Sequence, residues 1–225
     1  MEMEHDGAGD AEQGGPWPAF ADLLAATTLL FLILFAAVAV PALREAGNSR
    51  ARENTLNHLE DELAQRAHGG QVSVLRVGDY LLVRIQGDAT FPQGKFDLGD
   101  LKSEGKDILR TFGRVLRADT AYIDQVQVVG HTSSEGSESL NWILSASRAA
   151  TVSQFLIDSV SVPACRVSAL GRSRYYPVDP ARARTRTGAD ERDRRIELEI
   201  RPVLSGDTVQ SARREKNCVA ERGTR

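Results

Sequence analysis

The chain has 225 residues, 41% of them hydrophobic and 26% charged, with a formal net charge of −3. A chain of this length and composition is expected to form one domain with a hydrophobic core, of about 100–150 residues, plus shorter segments outside it. Residues 1–19 contain acids and no base, and the remainder is close to neutral, which excludes a nucleic-acid binder that works by charge. The two cysteines, Cys165 and Cys218, allow one disulfide at most and lack metal-ligand spacing.

The first predicted element is a transmembrane helix over residues 20–40, which follows an acidic tail, 1–19, that we expect to be disordered. The apolar run spans about 30 Å at about 1.5 Å per residue, the hydrocarbon thickness of a bilayer. A cleavable signal peptide is the alternative, because residues 37–39 (Ala-Val-Ala) resemble a cleavage site. The length of the run and the absence of positive charge before it favour a retained anchor that ends at Pro41.

Residues 41–70 are predicted to form a helical linker. Leu56, Leu59 and Leu63 recur at helical spacing and make a narrow apolar stripe. Three structures are open: a short parallel coiled coil beside the membrane, a mobile plug, and an amphipathic helix that lies on the following domain. The narrowness of the stripe favours pairing between helices.

Residues 71–203 mix strands with helices. A β-hairpin is predicted where Gly78-Asp79 separates two β-prone segments, and Ser145 is a candidate N-cap for a helix that ends at Val160. The other predicted elements are a helix over 101–117 and strands over 122–130, 166–171 and 195–201. This interleaving predicts an α+β layer sandwich, with helices on one face of a mixed sheet. A disordered tail, 204–225, is expected to follow.

Three motifs in this region resemble the OmpA-like peptidoglycan-binding family. They are GHTSSEGSESLNWILSASRAATVSQFL at 130–156, SALGRSRYYP at 168–177 and DRRIELEI at 193–200. The family pattern runs without a gap from Thr132 to Ala149. The resemblance implies the sandwich fold and a pocket in which an Asp and an Arg clamp the diaminopimelate of the peptidoglycan peptide stem.

The resemblance also assigns ligand contacts. Arg148 falls on the family's Arg, which implies a bidentate, charge-assisted contact with a carboxylate; taken alone, it would be interpreted as a surface helix residue. Ser133 stands where the family has Asp, so a hydroxyl replaces the charge that would meet an ammonium group. The remaining implied peptidoglycan-binding residues are Thr132, Asn141 and Leu144 in the pocket wall and Arg194 in the C-terminal motif.

His131 lies beside Ser133, Ser134 and Glu135, but this grouping does not indicate a hydrolase. Neighbours along one segment do not readily converge on a reacting atom, and the sequence has no nucleophile-elbow motif. We therefore predict that the protein is not an enzyme. His131, Trp142, Tyr175 and Tyr176 are predicted to be packing residues.

Asp22 is the one charged residue in the predicted span. An acid at the membrane centre costs about 2.5–3.5 kcal/mol, and less near the end of a span, where it can lie at the interface without a function. Its predicted place in the first helical turn also favours negative charge. Together with the WPAFAD motif (17–22), the short linker and the OmpA-like region, it resembles the B subunits of flagellar stators and, more closely, of Zorya antiphage motors.

That resemblance implies a subunit of an ion-driven rotary motor. In the family, two B chains sit inside a ring of five polytopic A subunits, and the membrane Asp, here Asp22, loads and unloads H⁺ or Na⁺; no other cofactor is expected. A carboxyl that alternates between charged and neutral forms changes its preference for dry or polar surroundings, which can bias a neighbouring subunit. Ala25 stands where the family often has Thr or Ser, so the coupling ion is left open.

Orientation is predicted from the domain and not from charge counts. Arg44, Arg50 and Arg52 follow the span, so a positive-inside count places the N-terminus outside. Large folded domains are translocated largely regardless of such counts, and we place the N-terminus in the cytoplasm and the domain in the periplasm of a bacterial inner-membrane protein. The expected partners are the polytopic subunit, a second copy, peptidoglycan and lipid. The alternatives are a flagellar role and a passive membrane-to-wall tether.

Overall fold

The computed structural model describes residues 17–67, 70–181 and 188–203. The chain divides into two compact units, the first ending at Gly47 and the second beginning at Asn48. The predicted tail 204–225, most of the tail 1–19 and Cys218 lie outside the described residues. Cys165 is exposed, and the one disulfide that the sequence allows, with Cys218, falls outside the described residues.

Helix α1 (Trp17–Ala64) contains the predicted span. Its stretch Phe20–Leu43 has a mean hydropathy of 2.7, is long enough to cross a membrane, and buries none of its most apolar window within the chain. The predicted end at Pro41 is wrong, because Pro41 lies inside the helix. Proline removes one backbone hydrogen bond, but the helix-forming residues on both sides continue the helix past it.

The last turns of α1 belong to the second unit. Leu56, Leu59 and Leu63 are all buried in its hydrophobic core. Outside that core, the Arg76 guanidinium donates to the Glu53 carboxylate at 2.6 Å. The apolar stripe is therefore covered by its own chain, as in an amphipathic helix that lies on the domain, and the interpretation as a pairing surface is wrong.

The second unit contains one mixed sheet of five strands in the order β1-β2-β5-β3-β4. Strands β3 and β4 pair in parallel, and the other neighbours are antiparallel. The strands are β1 Val72–Val77, β2 Tyr80–Gln86, β3 Ile123–His131, β4 Val167–Gly171 and β5 Arg195–Pro202, and the helices are α2 Gly87–Thr90, α3 Ser103–Ala118 and α4 Glu138–Val160. This confirms the predicted α+β fold with a hairpin at its start.

One face of the sheet forms the core with α1, α3 and α4. Leu109 and Phe112 of α3 and Leu156 of α4 are buried against strand residues such as Leu198. Burying each such side chain contributes about 1.5–3 kcal/mol. The helix predicted over 101–117 therefore buries the face that carries Leu109 and Phe112.

Helix α4 begins earlier than predicted. Ser137 is its N-cap, and its Oγ accepts a hydrogen bond from the Leu140 amide at 3.3 Å. Ser145, the predicted cap, lies inside the helix, and its Oγ accepts from the Ser173 amide at 3.1 Å. A Cβ on Gly130 of β3 would lie 2.1 Å from the Ser145 carbonyl oxygen. The helix therefore packs directly on the strand backbone, which fixes both elements at the end that carries the site.

The opposite face of the sheet carries buried charges. In β5 the acids Glu197 and Glu199 alternate with apolar residues, and they are only 3% and 2% exposed. Glu197 accepts from Arg195 at 2.7 Å and lies 3.0 Å from His131 Nε2, and Glu199 pairs with Arg172 at 3.0 Å. Cations from neighbouring strands and loops cover these carboxylates. The alternating acids of β5 and their partners therefore form a buried ionic layer.

Candidate functional site

A pocket of about 310 Å³ opens beside the first turns of α4. Its walls come from the segment before α3, the loop after β3, α4 itself and the residue before β5. The predicted ligand-binding residues all line it: Thr132, Ser133, Asn141, Leu144, Arg148 and Arg194. The structure therefore brings together side chains that are far apart in the sequence, from Thr132 to Arg194.

Local structure explains this convergence. Asn141, Leu144 and Arg148 are spaced by three, four and seven residues on α4, so they share one helix face. Thr132 and Ser133 follow directly after β3. Arg194 directly precedes β5, which pairs with β3 so that His131 and Arg195 are opposite each other. Pairing of β3 with β5 thus places the two loop contributions at the same end of the sheet.

Arg148 is the most enclosed cation of the pocket, with 3% of its surface exposed. Its Nε donates to the Lys95 carbonyl at 2.8 Å and its Nη2 donates to the Pro92 carbonyl at 2.9 Å. The guanidinium carbon lies 5.4 Å from the centre of the Phe91 ring. Among the described residues no carboxylate forms an ion pair with Arg148, and Nη1 has no hydrogen-bond partner. A buried cation without a counter-charge favours an anionic ligand.

Burial lowers the pKa of Arg148 to about 10, and the positive charge of Arg194 acts in the same direction while Asp88 opposes it. The side chain is therefore still protonated at neutral pH. A carboxylate that entered the pocket would meet a fixed, poorly solvated positive charge, where its attraction is stronger than at the surface.

Ser133 and Thr132 form the floor at the end of β3. Both are 3% exposed. The Thr132 amide donates to the Ser173 carbonyl at 3.0 Å, which ties the loop to the end of β4. Thr132 Oγ1 is buried and has no hydrogen-bond partner within the described part of the chain. Ser133 brings a hydroxyl to the pocket and no charge, as the sequence indicates.

Arg194 is the second guanidinium of the pocket, and carboxylates surround it. Its Nη1 lies 3.4 Å from Glu135, its Nη2 3.4 Å from Glu191 and its Nε 3.7 Å from Asp88. Arg194 is thus balanced by acids of its own chain, in contrast to Arg148.

Several pocket residues were not predicted from the sequence. They are Gln93, Gly94, Phe96, Glu135, Gly136, Leu140 and Ile143. Lys95 and Pro92 act only through their backbone carbonyls, which any residue type would supply, so no sequence pattern reveals them. Leu140 and Ile143 share a helical face with Leu144, and that spacing was the available signal.

The aromatic residues next to this end of the domain are not buried. Trp142, Tyr175 and Tyr176 are 44%, 50% and 55% exposed. The Trp142 and Tyr175 rings do contact each other, with centroids 5.9 Å apart. His131, by contrast, is 1% exposed and paired with Glu197.

Asp22 lies in the first unit, on α1, with an exposed side chain. It is the sixth residue of a helix that begins at Trp17, so its predicted place in the first turn is wrong. The helix dipole acts mainly within the first turn and therefore stabilises this carboxylate less than expected. Across the described residues no cluster of His, Cys, Asp and Glu could hold a metal ion.

Comparisons with known proteins agree with this fold. Residues 90–193 match the OmpA family. Over 146 residues the chain is 30% identical to a protein named "Probable lipoprotein YiaD" from Escherichia coli (strain K12), and the match covers 64% of this chain but only 62% of that protein.

Two solved structures share the fold. The cell wall anchor of the T6SS from Pseudomonas aeruginosa is 29% identical, with a TM-score of 0.52, over 64% of this chain and 97% of that one. A MotB-like protein from Desulfovibrio vulgaris is 17% identical, with a TM-score of 0.55, over 70% of this chain and 95% of that one. Residues 90–193 therefore form an OmpA-like domain, as the motifs predict, and the unit that contains them has the fold of MotB-like proteins.

Proposed function

We propose that the chain is a wall-anchored membrane subunit whose OmpA-like domain binds peptidoglycan in the bacterial periplasm. The observation that carries this proposal is Arg148: a buried guanidinium, held by two backbone carbonyls, that lines an open pocket without a carboxylate partner among the described residues. The diaminopimelate of the peptide stem offers such a carboxylate. Nη1 of Arg148 is the donor left for it, with Asn141 and Thr132 beside it in the pocket wall.

We further propose that the subunit belongs to an ion-driven motor in which Asp22 carries H⁺ or Na⁺. In a bilayer, an ionisable side chain on an apolar helix is costly and is a functional candidate by default. No described part of the chain covers Asp22. A ring of helices from a polytopic partner would supply the dry, closely packed surroundings that an ion-carrying carboxyl requires.

The face of α1 around Asp22 suits such packing. Ala25 and Ala26 follow it at three and four residues, and small residues let neighbouring membrane helices approach closely. The hydroxyls of Thr27 and Thr28 donate to backbone carbonyls of their own helix at 3.0 and 2.9 Å. Asp22 is then the polar group of this face that is left to exchange an ion.

In this proposal two copies of the chain stand inside a ring of five A-type subunits. The N-termini lie in the cytoplasm and the OmpA-like domains hold the wall while the ring turns. Along the chain, only residues 44–47 separate the apolar stretch from the start of the second unit. That short connection favours the Zorya type of antiphage motor over the flagellar stator, which is the alternative within this class.

A passive membrane-to-wall tether is the second candidate. It is favoured by the identity to the T6SS cell wall anchor, which at 29% exceeds the 17% to the MotB-like structure. A tether needs Arg148 and the membrane helix but has no use for Asp22.

Purification of the full chain from its native membranes tests these proposals together. A co-purified polytopic protein in a 5:2 ratio supports the motor. Sedimentation with purified sacculi but no such partner supports the tether. A chain that neither sediments with sacculi nor retains a membrane partner contradicts both proposals.

A further inference from the structure

We propose that Glu135 supplies the carboxylate that binds an ammonium group of the ligand, so that the pocket recognises a zwitterionic amino-acid terminus through Glu135 and Arg148 together. This inference rests on the proposed binding of a peptide stem. It concerns the part of recognition for which the pocket floor, with Ser133, has no charge.

Of the described residues that line the pocket, Glu135 is the one that has a carboxylate side chain. Asp88 and Glu191 also pair with Arg194, but neither is part of the pocket wall. A pocket with only its two guanidiniums would favour a ligand with two negative charges. With Glu135 on the same wall, a group that carries one positive and one negative charge is the better match.

The Glu135 carboxylate has free capacity to accept hydrogen bonds. Its described contacts all fall on Oε2, from Gln93 Nε2 at 3.2 Å and from Arg194 Nη1 at 3.4 Å. Charge-assisted bonds are normally about 2.7–2.9 Å long, so these contacts are weak. A carboxylate has about four acceptor positions, and Oε1 has no partner among the described residues.

The backbone of Glu135 is held in place although its side chain is half exposed. Asn141 Nδ2 donates to the Glu135 carbonyl at 2.7 Å, which ties the loop to α4 about two turns before Arg148 on the same helix. The next residue, Gly136, has a φ of 78°, a conformation that side-chain-bearing residues rarely adopt. The fold therefore fixes the start of the Glu135 side chain relative to the helix that carries Arg148.

The test uses the detergent-solubilised full chain and the peptide L-Ala-γ-D-Glu-meso-diaminopimelate, with its distal amine either free or acetylated. The wild type is expected to bind the free-amine peptide about tenfold more tightly, since acetylation removes one charge-assisted hydrogen bond. Glu135→Gln is expected to bind both peptides equally, at the weaker level, in isothermal titration calorimetry. Glu191→Gln is the matched control, because it removes an equally long contact to Arg194 from outside the pocket, and it should keep the preference.

A second variant separates contact from folding. Ser133→Asp in the Glu135→Gln background places a carboxylate on the pocket floor and should restore the preference for the free amine. If Glu135→Gln discriminates as strongly as the wild type, the inference is wrong even though Arg148 still binds the stem. If the wild type binds neither peptide and Arg148→Ala sediments with sacculi as the wild type does, the proposed function fails together with it.

Discussion

The two compact units differ in whether the chain covers their side chains. In the first unit the apolar stretch Phe20–Leu43 buries none of its most apolar window. In the second unit Leu56, Leu59 and Leu63 of the same helix α1 are completely or almost completely buried. Helix α1 thus carries an apolar segment that the described residues leave uncovered and a second segment whose leucines are buried in the core of the second unit.

The same contrast separates the two charges that we assign to function. Arg148 has its surroundings built by its own chain, from two carbonyls and an aromatic ring, and lacks only an anion. Asp22 has no such surroundings among the residues that the structure describes. The site in the second unit can therefore be derived from one subunit, whereas Asp22 acquires its properties from a membrane and a partner.

The largest expected effect is at Asp22. Asp22→Asn removes the titratable group while keeping the size and polarity of the side chain, so we expect ion flux through the complex reconstituted with its polytopic partner to fall to background. Asp22→Glu keeps a carboxyl and should retain part of the flux. Flux is measured in proteoliposomes under an imposed H⁺ or Na⁺ gradient.

Assembly is the control for this prediction. Both variants should co-purify with the partner in wild-type amounts, because the substitutions leave the apolar surface of the helix unchanged. Wild-type flux through Asp22→Asn would remove the motor proposal and leave the tether.

The next effect in size is at Arg148. Replacing it by Ala removes the buried donor and is expected to weaken sedimentation with sacculi by about 10- to 100-fold, the range for one hydrogen-bonded charge. Arg110→Ala is the matched control, since Arg110 also lies over an aromatic ring, Phe155, at 5.7 Å but outside the pocket. Circular dichroism checks that both variants fold. Equal sedimentation of the two folded variants would mean that the pocket is not the wall-binding site.

A smaller effect, on the free energy of unfolding, is expected from matched substitutions in the two segments of α1. Leu59→Ala removes a side chain with 0% exposure and should lower the free energy of unfolding of the second unit by about 2–5 kcal/mol. Leu32 is 60% exposed, and Leu32→Ala should change it by less than about 0.5 kcal/mol. Urea unfolding of the full chain in detergent, followed by circular dichroism, measures both. A similar loss in the two variants would contradict the division of α1.

Much of the fold could be predicted because apolar residues that recur with the period of a helix or a strand lie on its buried face. The hairpin, the 101–117 helix and the β3 strand were recognisable from their apolar patterns, and the OmpA-like motifs supplied the topology. The start of α4 was missed because the apolar residues Leu140 and Ile143 of its first turns line the pocket and do not extend the core face of the helix, so Ser145 was taken as the N-cap. The end of α1 was missed because Pro41 was given more weight than the helix formers around it.

The candidate site divides in the same way. Arg148 and its neighbours on α4 follow a motif that can be read from the sequence. The carbonyls of Pro92 and Lys95, and the position of Glu135 on the wall, depend on how distant segments meet. The buried ionic layer at β5 was also missed, because alternation in a strand does not distinguish a solvent-facing carboxylate from one covered by cations.

That layer gives the smallest expected effect, a dependence of stability on pH. Burial lowers the pKa of His131 despite the opposing hydrogen bond to Glu197, so folding disfavours its protonation. For Glu197 burial acts to raise the pKa, but the hydrogen bond from His131 and the charge of Arg195 outweigh it and lower the pKa well below its usual range.

For both His131 and Glu197 the unfolded chain binds the proton more readily, so the unfolding free energy should fall as the pH falls, first below about 6.5 through His131 and then below about 4.3 through Glu197. His131→Gln keeps a donor near the Glu197 carboxylate and should lessen the loss between about pH 7.5 and about pH 5.5 relative to the wild type. Urea unfolding at the two pH values decides this, and an equal loss in the variant and the wild type would show that His131 does not couple folding of the second unit to protons.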